Sequence, residues 1–242
     1  MVYGLIIAAG NQTRFKSAKP KALVEIEGKC LLDINIDNLS RHCDKVYVVC
    51  SHSNKEWFAN YETIVIDSGL GCGDAVYKAI ATLRFSLFDK CIIQWGDSIQ
   101  NNLIYTRMLS EHTDLDSVVP CIFEESPYVK LEKSGDSLNV KYSKFDGKLE
   151  PGYHDCSVFL FNAIALKNKV YEFVNKYYNI QKDRYEYENR KGEFSFLDIF
   201  NEGMTALLLD ISDEGKSYSF NTISQLNGIV DLLRSNYEGK DY

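Results

Sequence analysis

The apolar run at residues 3–8 is continuous rather than alternating, as expected of a strand buried on both faces of a parallel sheet. It opens a series. Residues 45–50, 63–67 and 90–94 are similar short runs. Between them, residues 31–41 (Leu32, Ile36 and Leu39 at helical spacing), 54–60 and 74–85 read as helices. Strand–helix alternation with short connections predicts a parallel sheet with helices on both faces. In such sheets ligands bind beyond the carboxyl ends of the strands.

The second half changes character. Residues 117–123 and 128–144 read as strands and hairpins with turns at Gly135 and Gly147, and residues 157–162 as a further strand. Helices are expected at 167–178, 195–202 and 222–233, with a strand at 206–211. Residues 179–192 are charged and tyrosine-rich with weak periodicity, and read as a mobile loop or an exposed helix end. Without an internal repeat or a Pro/Gly/Ser-rich linker, the expectation is one domain over 1–242. Its fold class is α/β, a three-layer sandwich on a mostly parallel mixed sheet.

Composition narrows the function classes. An apolar content of 45% with 13% aromatics suits a packed core. A net charge of −7 argues against a nucleic-acid partner. No apolar run reaches the roughly 18 to 20 residues that span a bilayer, so no membrane partner is expected. The N-terminus starts as a strand with no charged leader, and a cytoplasmic location is expected. Seven scattered cysteines, with no CxxC pair, make neither a disulfide framework nor a zinc site. Cys50 and Cys91, within apolar runs, read as small buried hydrophobes of a reducing compartment.

Three features fall on the carboxyl edge of the expected sheet. The first strand runs into Ala8, Ala9, Gly10, Asn11, Gln12, Thr13 and Arg14, and Lys19-Pro20-Lys21 follows. Small residues let the backbone approach a ligand, Arg14 offers a planar fork for phosphate oxygens, and Lys21 is a mobile point charge. That combination suits a triphosphate cradle, and equally an ordinary turn with solvated charges. Gly69, Gly71 and Gly73 open the helix that carries Asp74 in its first turn. They leave room for a flat base against the backbone, or simply allow a tight strand-to-helix turn. Asp97 follows Gly96 at the end of a buried strand, where a carboxylate suits Mg²⁺ or a helix N-cap.

These residues resemble a known family. The stretch from Leu5 to Arg14, with Lys19-Pro20-Lys21-Ala22-Leu23, is similar to the L-A-A-G-x-G-T-R…P-K signature of sugar-phosphate nucleotidyltransferases with a glycosyltransferase-A-like fold. Within that family the resemblance is nearest to the uridylyltransferase domains that act on N-acetylglucosamine 1-phosphate. Leu70-Gly71-Cys72-Gly73-Asp74-Ala75 resembles their L-G-T-G-H-A, and Trp95-Gly96-Asp97 their Y-G-D. Asp155-Cys156-Ser157 stands where they have N-T-G, and Phe196-Leu197-Asp198-Ile199 resembles L-T-D-I. Asn221, four residues before Gln225-Leu226, resembles their metal-binding asparagine.

The resemblance implies that residues 1–115 bind the nucleotide and residues 116–242 the second substrate. Arg14 and Lys21 would be catalytic and hold the triphosphate. Ala8, Ala9, Gly10, Asn11, Gln12, Thr13, Gly69, Gly71 and Asp97 would complete the nucleotide site, with Gly71 meeting the base through its backbone. Asp97 and Asn221 would bind Mg²⁺, and Lys144, Asp155 and Asp198 would face the second substrate. The chemistry implied is attack of a phosphate on the α-phosphorus of an NTP, with pyrophosphate leaving. Such chemistry needs alignment and charge neutralisation rather than a protein nucleophile.

Departures from the family pattern bear on the substrate. Asn11-Gln12 replaces x-Gly, Ile66 stands where a base-reading glutamine is usual, and Asp155 replaces the sugar-pocket asparagine. Tyr142 or Ser143 takes the place of that pocket's glutamate. No hexapeptide repeat follows, so the acetyltransferase activity joined to some members is not expected. The expected product is an NDP-sugar, or a related polyol derivative, for surface-glycan synthesis, made by a possible homo-oligomer. A cytidylyltransferase for a small phosphorylated alcohol or amino compound is the first alternative, with Asp155 pairing a cationic head group. A glycosyltransferase consuming a nucleotide sugar is the second, although Gly96-Asp97-Ser98 lacks the Asp-x-Asp usual there. A silent nucleotide-binding module is the third.

Overall fold

The computed structural model describes residues 1–10, 19–26, 28–67, 69–111, 114–187, 190, 192–212, 218–219 and 226. The expected alternation is present in the first half. Strand β1 (Val2–Ile7) leads to a small hairpin, β2 (Glu25–Ile26) and β3 (Lys29–Cys30), and then to helix α1 (Leu31–Ser40). Next come β4 (Lys45–Ser51), a 3₁₀ turn at Lys55–Phe58, β5 (Thr63–Ile66), α2 (Cys72–Ala81) and β6 (Lys90–Trp95). A two-residue strand β7 (Ser98–Ile99) and helix α3 (Asn102–Ser110) close this half.

The second half contains β8 (Ser117–Glu124), the hairpin β9 (Val129–Ser134) and β10 (Ser137–Tyr142), and a helical turn α4 (Ser143–Asp146). It continues with β11 (Gly152–Asp155), β12 (Val158–Asn162) and α5 (Ala163–Tyr177). A short hairpin β13 (Tyr178–Asn179) and β14 (Arg184–Tyr185), then α6 (Asp198–Asn201), β15 (Ala206–Asp210) and β16 (Tyr218–Ser219), follow. Ten strands form one sheet in the order β10-β9-β11-β8-β12-β6-β1-β4-β5, with β15 beside β8. The β6-β1-β4-β5 portion is parallel, and β12 joins it antiparallel to β6.

Side chains alternate across this sheet into two cores. Leu5 and Ile93 pack with Val76 and Ile80 of α2, Val170 and Phe173 of α5 and Phe200 of α6. Ile6 and Ile92 point the other way and pack with Leu32 and Leu39 of α1 and with Ile104, Tyr105 and Met108 of α3. Helices on both faces of a mixed sheet are the expected three-layer α/β architecture.

Several expectations are corrected. The helix expected at 74–85 ends at Ala81. The helix expected at 167–178 starts at Ala163, because the Asn162 carboxamide oxygen caps it, accepting from the Ile164 and Ala165 N–H groups at 3.1 Å. Strand β11 and helix α3 had no counterpart in the sequence reading. Lys144 lies on the α4 turn rather than in a strand. Residues 179–187 are neither a mobile loop nor an exposed helix end. They form the β13–β14 hairpin, where Tyr185 is 2% exposed and its hydroxyl donates to Asp74 Oδ1 at 2.7 Å. Burial first, and that bond second, push the Tyr185 phenol above its ordinary range. The helix expected at 222–233 lies outside the described residues.

The glycine loop before α2 is shaped by the chain itself. Phe194 N–H donates to Leu70 O at 2.7 Å, and Gly73 N–H to Phe194 O at 2.9 Å. Gly71 has φ +98, and a Cβ there would lie 2.5 Å from Phe194 O. A Cβ on Gly73 would lie 2.5 Å from the Phe194 ring, which is stacked on Phe173 at 4.0 Å and cannot swing away. Asp74 completes the lock: its Oδ2 accepts from Leu70 N–H at 2.9 Å and pairs with Lys78 at 2.8 Å. Ser157, between β11 and β12, is the opposite case, a non-glycine at φ 62.

These two positions should respond in opposite ways. Gly71→Ala combines a left-handed backbone with a backbone clash and is expected to cost about 2–3 kcal/mol. Ser157→Gly relieves a strained residue and is expected to stay within about 1 kcal/mol of the parent, the relief offset by a more flexible unfolded chain. Urea unfolding of both variants checks the contrast.

Candidate active site

The parallel strands β1, β4, β5 and β6 bring their carboxyl ends to one edge, and the site is assembled there. Ala8 and Ala9 continue β1 as buried residues, one packing into each core. Ala8 N–H donates to Val49 O at 2.8 Å, and Asn54 Nδ2 donates to Ala8 O at 3.1 Å. Asn54 Oδ1 in turn accepts from Ser51 N–H at 2.8 Å, so the strand end is fixed from the neighbouring connection. Gly10 is exposed. Asn11, Gln12, Thr13 and Arg14, and likewise Asn221, lie outside the described residues.

Lys21 opens a 3₁₀ turn, Lys21–Leu23, directly after Pro20. Ala22, 2% exposed, anchors that turn in the core. On the adjacent strand end, Gly96 N–H donates to Ile7 O at 3.0 Å. A Cβ on Gly96 would meet Ile7 O at 3.0 Å and Ala22 Cβ at 3.4 Å, so the glycine permits this close approach. The outcome is that Lys21 Nζ lies 3.1 Å from Asp97 Oδ2. The lysine side chain is 10% exposed and the aspartate 31%, so the pair opens to solvent from the carboxylate side. Two residues singled out separately in the sequence are thus in direct contact.

The β11–β12 turn reaches the same edge. Trp95 N–H donates to Ser157 O at 3.0 Å, placing Asp155, Cys156 and Ser157 beside the end of β6. Asp155 is 5% exposed, and its Oδ1 accepts from Ser157 N–H at 2.9 Å. Ser157 takes the left-handed conformation at the position where the resembled motif has glycine.

Asp198 has a different setting. It is 2% exposed, and Arg190 holds both its oxygens, with Nε–Oδ2 at 3.0 Å and a terminal nitrogen to Oδ1 at 3.1 Å. Tyr187 hydroxyl also donates to Oδ2, at 2.7 Å. The Arg190 guanidinium lies over the rings of Phe145 and Tyr142, 4.5 and 4.8 Å from their centroids. Burial, followed by the Asp198 charge, pushes the Tyr187 phenol up, so it stays a neutral donor. Asp198 therefore fixes Tyr187 and Arg190 beside α6. Lys144 is exposed, 4.0 Å from Glu193 and 4.9 Å from the Phe145 centroid.

The sequence reading missed Asn54, Tyr187 and Arg190. The signal for the last two was the tyrosine-rich composition of this stretch, in which Tyr185 and Tyr187 pack while residues 180–184 stay exposed. The Gly71 and Gly73 requirement is met by Phe194, independent of any ligand. Burial pushes the thiols of Cys43 and Cys121 up to about 12, which makes both inert at neutral pH.

The donor set at this edge fits a hard divalent cation. Asp97 offers one partly exposed carboxylate, and Mg²⁺ takes one or two carboxylates with phosphate oxygens and water. Among the described residues no three His, Cys, Asp or Glu gather into a preformed metal cage. The described residues of β16, Tyr218 and Ser219, pair with Ile99 and Ser98, so the chain two residues before Asn221 runs beside the residue that follows Asp97. No described helix is long and apolar enough to cross a membrane.

Comparison with known proteins fits this arrangement. Residues 4–126, just over half the chain, match the MobA-like NTP transferase domain. The bifunctional protein GlmU of Nitratidesulfovibrio vulgaris strain Hildenborough is 33% identical over 249 residues, covering 96% of this chain and 52% of its own. The chain spans about half the length of the curated relatives it matches. Among solved structures, a putative glucose-1-phosphate thymidylyltransferase from Bacillus anthracis, in complex with a sucrose, superposes with a TM-score of 0.73 at 13% identity, covering 97% of this chain and 96% of its own. The inositol-1-phosphate CTP transferase from T. maritima gives 0.71 at 14% identity, covering 99% and 98%. These structures share the glycosyltransferase-A-like fold. The matched domain, which spans just over half of the sequence, leads to one conclusion: the chain belongs to the MobA-like NTP transferase family.

Proposed function

We propose that the protein transfers a nucleotidyl group from an NTP to a sugar 1-phosphate or related polyol phosphate, in a Mg²⁺-dependent reaction in the cytoplasm that serves surface-glycan synthesis. The observation that carries this reading is the 3.1 Å Lys21–Asp97 pair at the carboxyl ends of β1 and β6. A cation and a carboxylate that neutralise each other can both be redirected by one ligand. A triphosphate would recruit the lysine, and Asp97 would then be free to hold an accompanying cation.

Arg14 and Lys21 hold the triphosphate, and Asp97 with Asn221 would hold Mg²⁺. Bound there, the ion would neutralise charge on the phosphates. An oxygen of the second substrate's phosphate attacks the α-phosphorus in line, the new P–O bond forms, and the bond to the β-phosphate bridging oxygen breaks. Pyrophosphate leaves with that electron pair. Lys21 meets the charge that develops on it, and alignment supplies the remainder. The base lies against the loop of Gly69 and Gly71. Asp155 faces the second substrate's hydroxyl groups with Lys144 at the rim, and Asp198 acts through Arg190 rather than by contact.

A second reading keeps the reaction and changes the acceptor. Asp155 is a carboxylate where the resembled motif has a neutral amide, which favours a small phosphorylated alcohol or amino compound with CTP. One structural neighbour, the inositol-1-phosphate CTP transferase, uses a CTP and polyol-phosphate pair.

Incubation with each NTP, Mg²⁺ and a panel of phosphorylated sugars and alcohols is expected to release pyrophosphate with one NTP, and a chelator to abolish the release. Nucleotide-sugar hydrolysis without pyrophosphate formation would overturn the reading. Lys21→Met and Asp97→Asn are each expected to lower kcat about 100-fold or more while circular dichroism stays unchanged. Retained turnover in Asp97→Asn would remove that residue from the site.

A further inference from the structure

We infer that Asn35 is a positioning residue for Asp97, acting through the main-chain carbonyl of Ser98; the inference rests on the role proposed for Asp97. Helix α1 buries Leu31, Leu32, Asn35 and Leu39, an apolar stripe interrupted by one amide. Asn35 is 0% exposed, and an apolar side chain would be the cheaper occupant. Its Nδ2 donates to Ser98 O at 3.0 Å. Its Oδ1 has no hydrogen-bond partner among the described residues. A buried polar side chain with one half unsatisfied, held against the residue that follows the key carboxylate, calls for an explanation beyond packing.

The same economy recurs around this turn. Ser98 Oγ donates to Trp95 O at 2.8 Å, and Gln94 Nε2 reaches Ser98 O at 3.5 Å. Gln100 Nε2 donates to Cys156 O at 2.6 Å, tying the turn to the connection that carries Asp155. Four buried side-chain atoms lack a partner among the described residues, and three are amide oxygens here: those of Asn35, Gln100 and Asn102. The turn from Trp95 to Gln100 is thus oriented by directional hydrogen bonds. Apolar contacts would let it slide. Amide donors fix which way the Ser98 carbonyl points, and so where the preceding carboxylate emerges beside Lys21.

Asn35→Leu removes both the donor and the unsatisfied oxygen at nearly constant volume. If the amide were there only for stability, this variant would unfold earlier and function normally below its melting point. A positioning role gives the opposite pattern. The urea midpoint stays near that of the parent, while backbone amides of 96–100 exchange with deuterium about tenfold faster. Mn²⁺ binding, read by electron paramagnetic resonance, weakens about fivefold. In turnover, kcat falls about 30-fold, the Mg²⁺ half-saturation rises about fivefold, and KM for the NTP stays within twofold. Asn35→Ala, which removes the amide without adding apolar bulk, is expected to show the same losses of exchange protection, Mn²⁺ affinity and kcat and covers a failure of Asn35→Leu to fold. Asp37→Asn, on the exposed face of α1, is the control and leaves every readout unchanged.

Parent-like exchange, Mn²⁺ affinity and kcat in both variants would overturn the inference. So would faster exchange with unchanged Mn²⁺ affinity. A parent protein that binds Mn²⁺ but releases no pyrophosphate with any NTP sinks the proposed reaction instead, and the exchange and Mn²⁺ data still decide the role of Asn35.

Discussion

The parallel pairing of β1 with β6 is the constraint on which the rest depends. Its last hydrogen bond, from Gly96 N–H to Ile7 O, sits where both strands end, beside the Lys21–Asp97 pair. Leu5, Ile6, Ile92 and Ile93 are fully buried on the two faces of this pair. Each such burial stabilises by about 1.5–3 kcal/mol, so the junction is among the least deformable parts of the molecule. Lys21 reaches Asp97 because Ala22 packs on Gly96, and Asp155 arrives because the Ser157 carbonyl accepts from Trp95 N–H. Mobile chemistry is placed on a rigid frame.

What was legible in the sequence follows from where the signals reside. Continuous apolar runs and short helices are local, so residues 3–8, 45–50, 63–67 and 90–94 could be read directly. Strand–helix alternation puts Lys21 and Asp97 on one sheet edge, but their direct contact, across 76 positions, is not a local signal. β11 escaped because Gly152–Asp155 is short, polar and held by partners on both sides rather than by its own propensity. The packing of Tyr185, Tyr187 and Arg190 was hidden because the charges around them are visible locally and their partners are not. Tyr185 is satisfied by Asp74, 111 positions away. Phe194 explains the glycines at 71 and 73 and could not have been assigned to them from spacing.

Asn35 shows the limit from the other side. Leu32, Ile36 and Leu39 gave the helix correctly, yet the buried stripe runs through Asn35 while Ile36 is half-buried. Periodicity identifies an element without fixing the few degrees of rotation that decide which polar residue turns inward. That rotation is set by tertiary bonds, here the one to Ser98 O.

The carboxylates divide by burial, and the division has a functional logic. Asp74 and Asp198 are nearly inaccessible, and each meets a cation and a tyrosine hydroxyl. Removing one partner of such a pair strands a buried charge at a cost of about 3–5 kcal/mol, so these pairs stay as they are. Together they clamp the segment bearing Tyr185, Arg190 and Phe194 against α2 and the glycine loop. Asp97 is partly open to solvent while its partner Lys21 is largely buried, so the pair can be reached from the carboxylate side. A pair open on one side is one that a charged ligand can approach without unfolding its surroundings. The buried pairs hold the scaffold, and on the proposed reading the Lys21–Asp97 pair is the one a charged ligand would exchange.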